Sequence, residues 1–187
     1  MRLHVCIGLL ESRDGPMLGL REMIETQLRP RYPAISVAYH AWRDDVAGAV
    51  RRQAATGGGP LILLGHSYGA SALVRASRQL DPMAIDHLIM LDPVPRWLWG
   101  QFQWTSYRLP ENVKAATCLY NPWSLPKSSP IRGRHPAYRN ETVSPLHASI
   151  PGNPGVQLRV LEIIRGLMAK GGGVKVPPVL PNTRAAL

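Results

Sequence analysis

The stretch Leu61-Ile62-Leu63-Leu64-Gly65-His66-Ser67-Tyr68-Gly69-Ala70 decides the fold. Four consecutive branched aliphatic residues read as a strand buried on both faces, as in a parallel sheet. That strand runs straight into Gly65-His66-Ser67-Tyr68-Gly69, and a helix is expected from about Ala70 to Leu80. A serine on a strand-to-helix turn, flanked by glycines two residues away on either side, has a mechanical meaning. The turn is sharp, so the backbone at the serine is strained and its neighbours must be small. The serine hydroxyl is then projected above the carboxyl edge of the sheet. The following helix points its N-terminus at the same spot, which favours a developing negative charge.

Outward from this turn, the chain alternates strands and helices. Upstream, Leu3 to Leu9 is a short apolar run that predicts a buried strand. Met17, Leu20, Ile24 and Leu28 repeat with helical spacing, and Pro30 and Pro33 end that helix. Ile35 to Tyr39 predicts a second strand. Asp44 and Asp45 open a helix through Ala47, Val50 and Ala54, with the acids where the helix dipole favours them. Gly57-Gly58-Gly59-Pro60 stops it. Downstream, strands are expected at Ile85 to Leu91 and Val113 to Tyr120, a loop over 121–152, and a last helix over 155–170. The pattern predicts an α/β fold of about five mostly parallel strands with helices on both faces. Such sheets place ligands at the carboxyl ends of their strands.

Length and composition bound the rest. The 187 residues suit one domain, expected over 1–170, followed by a Gly/Pro-rich tail at 171–187. Apolar residues make up 45% of the chain, enough for a core. Two cysteines, Cys6 and Cys118, lack metal-ligand spacing and provide no disulfide framework. No apolar run reaches the roughly 18 residues of a membrane span. Met1 to Gly8 is too short and broken for a secretory apolar region, so the cytoplasm is the expected location. The net charge of +10 raises the question of nucleic acid, but the arginines are scattered. Their densest group, Arg132, Arg134, His135 and Arg139 beside Lys127, lies in a Pro-rich stretch. A basic scaffold for nucleic acid is therefore the disfavoured reading.

Leu64-Gly65-His66-Ser67-Tyr68-Gly69-Ala70, in its strand-to-helix setting, resembles the nucleophile turn of lipases and esterases in the α/β-hydrolase superfamily. The resemblance covers roughly residues 2–169, as a minimal version of that fold. It implies a nucleophile at Ser67, followed along the chain by an acid and then a histidine. His147, in a loop just before the last helix, occupies the place where the superfamily puts its histidine; His135 is the alternative. Asp92 ends the strand next to the nucleophile strand, in Leu91-Asp92-Pro93-Val94-Pro95. Many members carry their acid one strand later, where this chain reads Tyr120-Asn121-Pro122-Trp123. A subset similar to pancreatic lipase and some thioesterases carries it at the position of Asp92. Glu141 is the alternative acid.

The resemblance also implies an oxyanion hole of two backbone N–H groups, from Tyr68 and from Leu9 after the first strand. This chain has Ile7-Gly8 where lipases often show His-Gly, and glycine still permits the close approach. Trp97, Trp99, Phe102, Trp104 and Tyr107 crowd the segment after Asp92. Trp97, Trp99 and Trp104 are expected to wall a substrate pocket or a lid; ordinary packing over the sheet edge is the alternative. His40, in Tyr39-His40-Ala41-Trp42, reads as a structural hydrogen-bonder. The expected function is a serine hydrolase acting on a small-molecule or lipid ester, or a thioester, with no cofactor and no metal. The rivals are an acyltransferase or thioesterase on the same machinery, and a non-catalytic binding protein that kept the fold.

Overall fold

The computed structural model describes residues 1–7, 17–56, 58–95, 106–133 and 135–171. Its centre is a six-stranded sheet in the order β2-β1-β3-β4-β5-β6. The strands are β1 (Arg2–Ile7), β2 (Ser36–Ala41), β3 (Leu61–His66), β4 (His87–Leu91), β5 (Ala116–Tyr120) and β6 (Tyr138–Thr142). Every neighbouring pair is parallel. The helices are α1 (Met17–Met23), α2 (Val46–Thr56), α3 (Tyr68–Leu80) and α4 (Pro154–Gly171). The expected helix from Met17 to Leu28 is present, but its end, Ile24–Leu28, widens into a π-helical turn.

The alternation of β3 explains the two-sided core. Leu61 and Leu63 point into one apolar layer with Val46 and Val50 of α2 and Leu73 of α3. Ile62 and Leu64 point into the other, with Leu20 of α1 and Val160 and Ile164 of α4. All four β3 side chains are fully buried, each contributing about 1.5–3 kcal/mol by its removal from water. α2 begins as its acids suggest: the Gly48 N–H donates to Asp45 Oδ1 at 2.9 Å.

β6 lies in the stretch expected to be a loop. It is an edge strand, so one side of its ladder is open and its residues are mostly exposed or half-buried. Its sequence, Tyr-Arg-Asn-Glu-Thr, therefore shows no apolar run. Its polar side chains hold it in other ways. The Asn140 amide exchanges two hydrogen bonds of 2.9 Å with the main chain of Ile131, and Glu141 pairs with Arg159 of α4 at 2.7 Å. The expected tail falls almost wholly on residues 172–187, outside the described residues, as do Leu9, Trp97, Trp99, Phe102 and Trp104.

From β1 the chain winds to β2 on one side, and then from β3 through β6 on the other. The switch point lies between the carboxyl ends of β1 and β3, the crevice where this kind of sheet binds ligands.

Two predictions follow from the packing. A Cβ on Gly65 would stand 2.8 Å from the Ala70 backbone and 2.7 Å from Leu73 Cδ1. Because backbone cannot step aside cheaply, Gly65→Ala should cost about 1–3 kcal/mol or more in thermal unfolding. An unchanged Tm would contradict the close approach. The second concerns pH. Burial lowers His87 from the usual 6.5 to about 4; burial, then the neighbouring His40, does the same for His4. Below 6.5 the unfolded chain binds these protons and the folded chain does not. Stability present above pH 6.5 is thus lost progressively as pH falls toward 4. The urea midpoint should fall between pH 7 and pH 5, and His87→Gln should shrink that fall.

Candidate active site

Ser67 sits between β3 and α3 with φ 56° and ψ −127°. Among the described non-glycine residues, positive φ occurs at Ser67 and at Asp92, where φ is 41°. Such conformations cost of order 1–3 kcal/mol and persist only where the surroundings enforce them. Here the enforcement is visible. The Ser67 N–H donates to the Leu91 carbonyl at 3.0 Å, and the Asp92 N–H donates to the Leu119 carbonyl at 2.8 Å. Each strained residue is thus tied to the end of the next strand.

His147 opens a single 3-10 turn, His147–Ser149, a few residues before α4. Its Nδ1 lies 2.6 Å from Asp92 Oδ2, and its Nε2 lies 2.9 Å from Ser67 Oγ. A carboxylate only accepts, so the proton resides on Nδ1, and Nε2 is left to accept from the serine hydroxyl. Asp92 is fully buried, Ser67 is 6% exposed, and the His147 side chain is 14% exposed. The acid is therefore shielded from solvent, while the serine and the imidazole keep partial exposure.

Four further residues surround this cluster. The Asn121 N–H donates to Asp92 Oδ1 at 2.9 Å, so both carboxylate oxygens are engaged. His66, which the sequence places beside the nucleophile without a role, packs its ring 4.7 Å from the His147 ring. Its Nε2 donates to the His147 carbonyl at 3.1 Å. Ser71, one turn into α3, bonds the Val94 carbonyl and the Tyr107 hydroxyl and so secures the chain leaving Asp92. Tyr68, the first residue of α3, packs against Trp42, the residue after β2, with ring centroids 5.9 Å apart.

The alternatives lie elsewhere. His135 is exposed and lies tilted against Tyr138, with ring centroids 4.4 Å apart. His40 is buried on β2, where its Nε2 meets His4 Nδ1 at 2.9 Å. Glu141 is held by Arg159 through two contacts of 2.9 and 2.7 Å. The Arg159 guanidinium keeps the Glu141 carboxyl below its usual value. Of the other expected site residues, Leu9, Trp97, Trp99 and Trp104 lie outside the described residues. Two exposed apolar residues the sequence did not single out stand on the loops of the cluster: Trp123 follows Asn121, and Leu146 precedes His147. Among the described residues, no group of three or more His, Cys, Asp or Glu side chains is placed to hold a metal ion. Nor is any helix there long and apolar enough to cross a membrane.

Residues 17–181 match the sequence model of the Alpha/beta hydrolase family. The chain belongs to that family. Membership supports a hydrolase, and the all-parallel sheet with its flanking helices is a minimal form of the fold. No curated protein matches the chain in sequence. Similar solved structures include human thioesterase 2, at 11% identity and a TM-score of 0.54, covering 90% of this chain and 96% of that one. Another is the NocB thioesterase domain from the Nocardicin cluster, at 15% identity and a TM-score of 0.49, covering 90% and 94%. At 11% identity the first likeness is one of fold.

The geometry separates the two candidate acids. Asp92→Asn should keep the fold and lower kcat on an activated ester by on the order of 10⁴, because an amide leaves the imidazole in the wrong tautomer. Glu141→Gln should leave kcat unchanged and cost about 1 kcal/mol of stability at most. The reverse pattern would move the acid to β6.

Proposed function

We propose that this protein is a serine hydrolase of carboxylic esters or thioesters, acting through an acyl-enzyme on Ser67. The observation that carries the reading is the unbroken chain from Ser67 Oγ through His147 to Asp92, at 2.9 and 2.6 Å.

In this reading Ser67 Oγ attacks the carbonyl carbon as its proton passes to His147 Nε2. Asp92, on the other side of the ring, stabilises the imidazolium that forms. The carbonyl oxygen becomes an oxyanion beside the start of the 13-residue helix α3. There the Tyr68 N–H and the helix dipole favour its charge. The Leu9 N–H is proposed as the second donor. The tetrahedral intermediate collapses as His147 returns the proton to the leaving alcohol or thiol, and the acyl group stays on Ser67. Water then attacks the acyl carbonyl, its proton taken by His147, and the collapse releases the acid and restores the serine. No step calls for a cofactor.

Two features support an apolar acyl group. The sequence puts Trp97, Trp99 and Trp104 directly after Asp92, and Trp123 and Leu146 stand exposed at 79% and 65% on the neighbouring loops. Tryptophan offers large apolar contact at little entropic cost. Each methylene that such a surface removes from water contributes about 0.8 kcal/mol. The fold likeness to human thioesterase 2 makes an acyl thioester the second bond to test.

The test uses p-nitrophenyl esters from acetate to palmitate beside an acyl thioester series of matched length. The expected result is a burst of p-nitrophenol stoichiometric with enzyme, kcat/KM rising to medium chain length, and no turnover in Ser67→Ala. Turnover that survives in Ser67→Ala would overturn the reading. The series in which kcat/KM is greater identifies the leaving group.

A further inference from the structure

Asn121 follows the last residue of β5 and is 5% exposed. Its side chain uses both ends of the amide. Nδ2 donates to the carbonyl of Ser144 and to the carbonyl of Pro145, each at 3.0 Å. Oδ1 accepts from the Trp123 N–H at 2.8 Å. Its backbone N–H meets Asp92 Oδ1 at 2.9 Å. One residue therefore holds the acid with its main chain and, with its side chain, holds the segment two and three residues ahead of His147.

We propose that Asn121 is the positioning residue that sets the distance between Asp92 and His147. The proposal rests on the reading of Ser67, His147 and Asp92 given above. A loop that carries a base has main-chain freedom of its own, and a displacement of about 1 Å costs on the order of 10²-fold in rate. The Ser144–Pro145 carbonyls are fixed by Asn121 on one side of His147. On the other, the His147 carbonyl is fixed by His66. Between these two anchors the ring reaches Asp92 and Ser67 without needing contacts from solvent-facing groups. Only an amide of this length fits the task. A carboxylate has no N–H to donate, and would set its oxygens against two carbonyl oxygens. A carboxylate at 121 would also add a second negative charge beside Asp92.

The molecule contains its own control. Asn112, near the amino end of β5, donates Nδ2 to the carbonyls of Ser77 and Met83 at 2.9 and 3.0 Å. It makes the same two kinds of bond as Asn121, at the opposite edge of the sheet from Ser67. Asn121→Asp keeps an oxygen for the Trp123 N–H and loses both donations. Asn112→Asp loses two comparable donations far from the site.

The experiment measures kcat and KM on one p-nitrophenyl ester, Tm, and the downfield proton resonance of the His147–Asp92 hydrogen bond, for both variants. Asn121→Asp should lower kcat about 100-fold, with KM within two-fold of wild type, and should weaken or erase the downfield resonance. Asn112→Asp should lower Tm and leave kcat, KM and the resonance unchanged. Should Asn121→Asp not fold, Asn121→Ala removes the donors without adding charge and carries the same expectation. The proposal is overturned by wild-type kcat in Asn121→Asp, by a loss confined to KM, or by an equal loss of kcat in Asn112→Asp. Failure of both Asn121 variants to fold, with Asn112→Asp folded, also overturns it, since the role is then structural. Ser67→Ala separates the two levels. If it keeps turnover, the reading of the site fails; if it is inactive while Asn121→Asp is not slowed, the positioning role alone fails.

Discussion

At Gly65 the first turn of α3 comes so close to the end of β3 that a single methyl group would meet the Ala70 backbone at 2.8 Å. Two residues on, Ser67 takes a φ of 56°, the strained turn that projects a serine side chain above the sheet. The turn is not held by its own sequence alone. The Ser67 N–H bonds to Leu91, the Asp92 N–H to Leu119, the Asn121 N–H to Asp92, and the Val143 N–H to Tyr120. The three main-chain bonds carry the hydrogen-bond pattern of β3 through β6 past the carboxyl edge, and the bond from the Asn121 N–H ties the Asp92 carboxylate to the end of β5. The side chains of the site therefore inherit their spacing from the register of the sheet, and each loop begins from a fixed point.

The strain at Ser67 and Asp92 is balanced by packing beneath it. Both faces of β3 and β4 are sealed, and a buried carboxylate is tolerable because its two oxygens meet a ring N–H and a backbone N–H. The same burial lowers the pKa of His4 and His87, so each ring is neutral at pH 7. These histidines take no part in the chemistry. They are the consequence of putting polar rings on inner strands of the sheet, β1 and β4, where water is largely excluded.

The central strands were legible because burial on both faces leaves continuous aliphatic runs, as in Leu61 to Leu64 and Leu88 to Leu91. The edge strand β6 was not, because an edge needs no apolar run and its polar side chains are used for pairing instead. The resemblance to α/β hydrolases pointed to Ser67, Asp92 and His147 as candidates through their places in the chain: a glycine-flanked turn, a strand end, and a loop before the last helix. It pointed to neither His66 nor Asn121. Their roles are hydrogen bonds to main-chain groups, which leave no spacing pattern in a sequence. Asn121 stands where many members of the family carry a carboxylate, and it offers the N–H groups that a carboxylate would not have.

The central claim is that the hydroxyl of Ser67 is the reacting group. Ser71 is also buried and close by, but its hydroxyl bonds the Val94 carbonyl and the Tyr107 hydroxyl, not an imidazole. A fluorophosphonate reacts with a serine that a neighbouring base has activated. Intact mass and peptide mapping after one equivalent of this reagent test the claim most directly. The account predicts a single adduct, on Ser67, abolished in Ser67→Ala. An adduct on another serine, or labelling unchanged in Ser67→Ala, would contradict it.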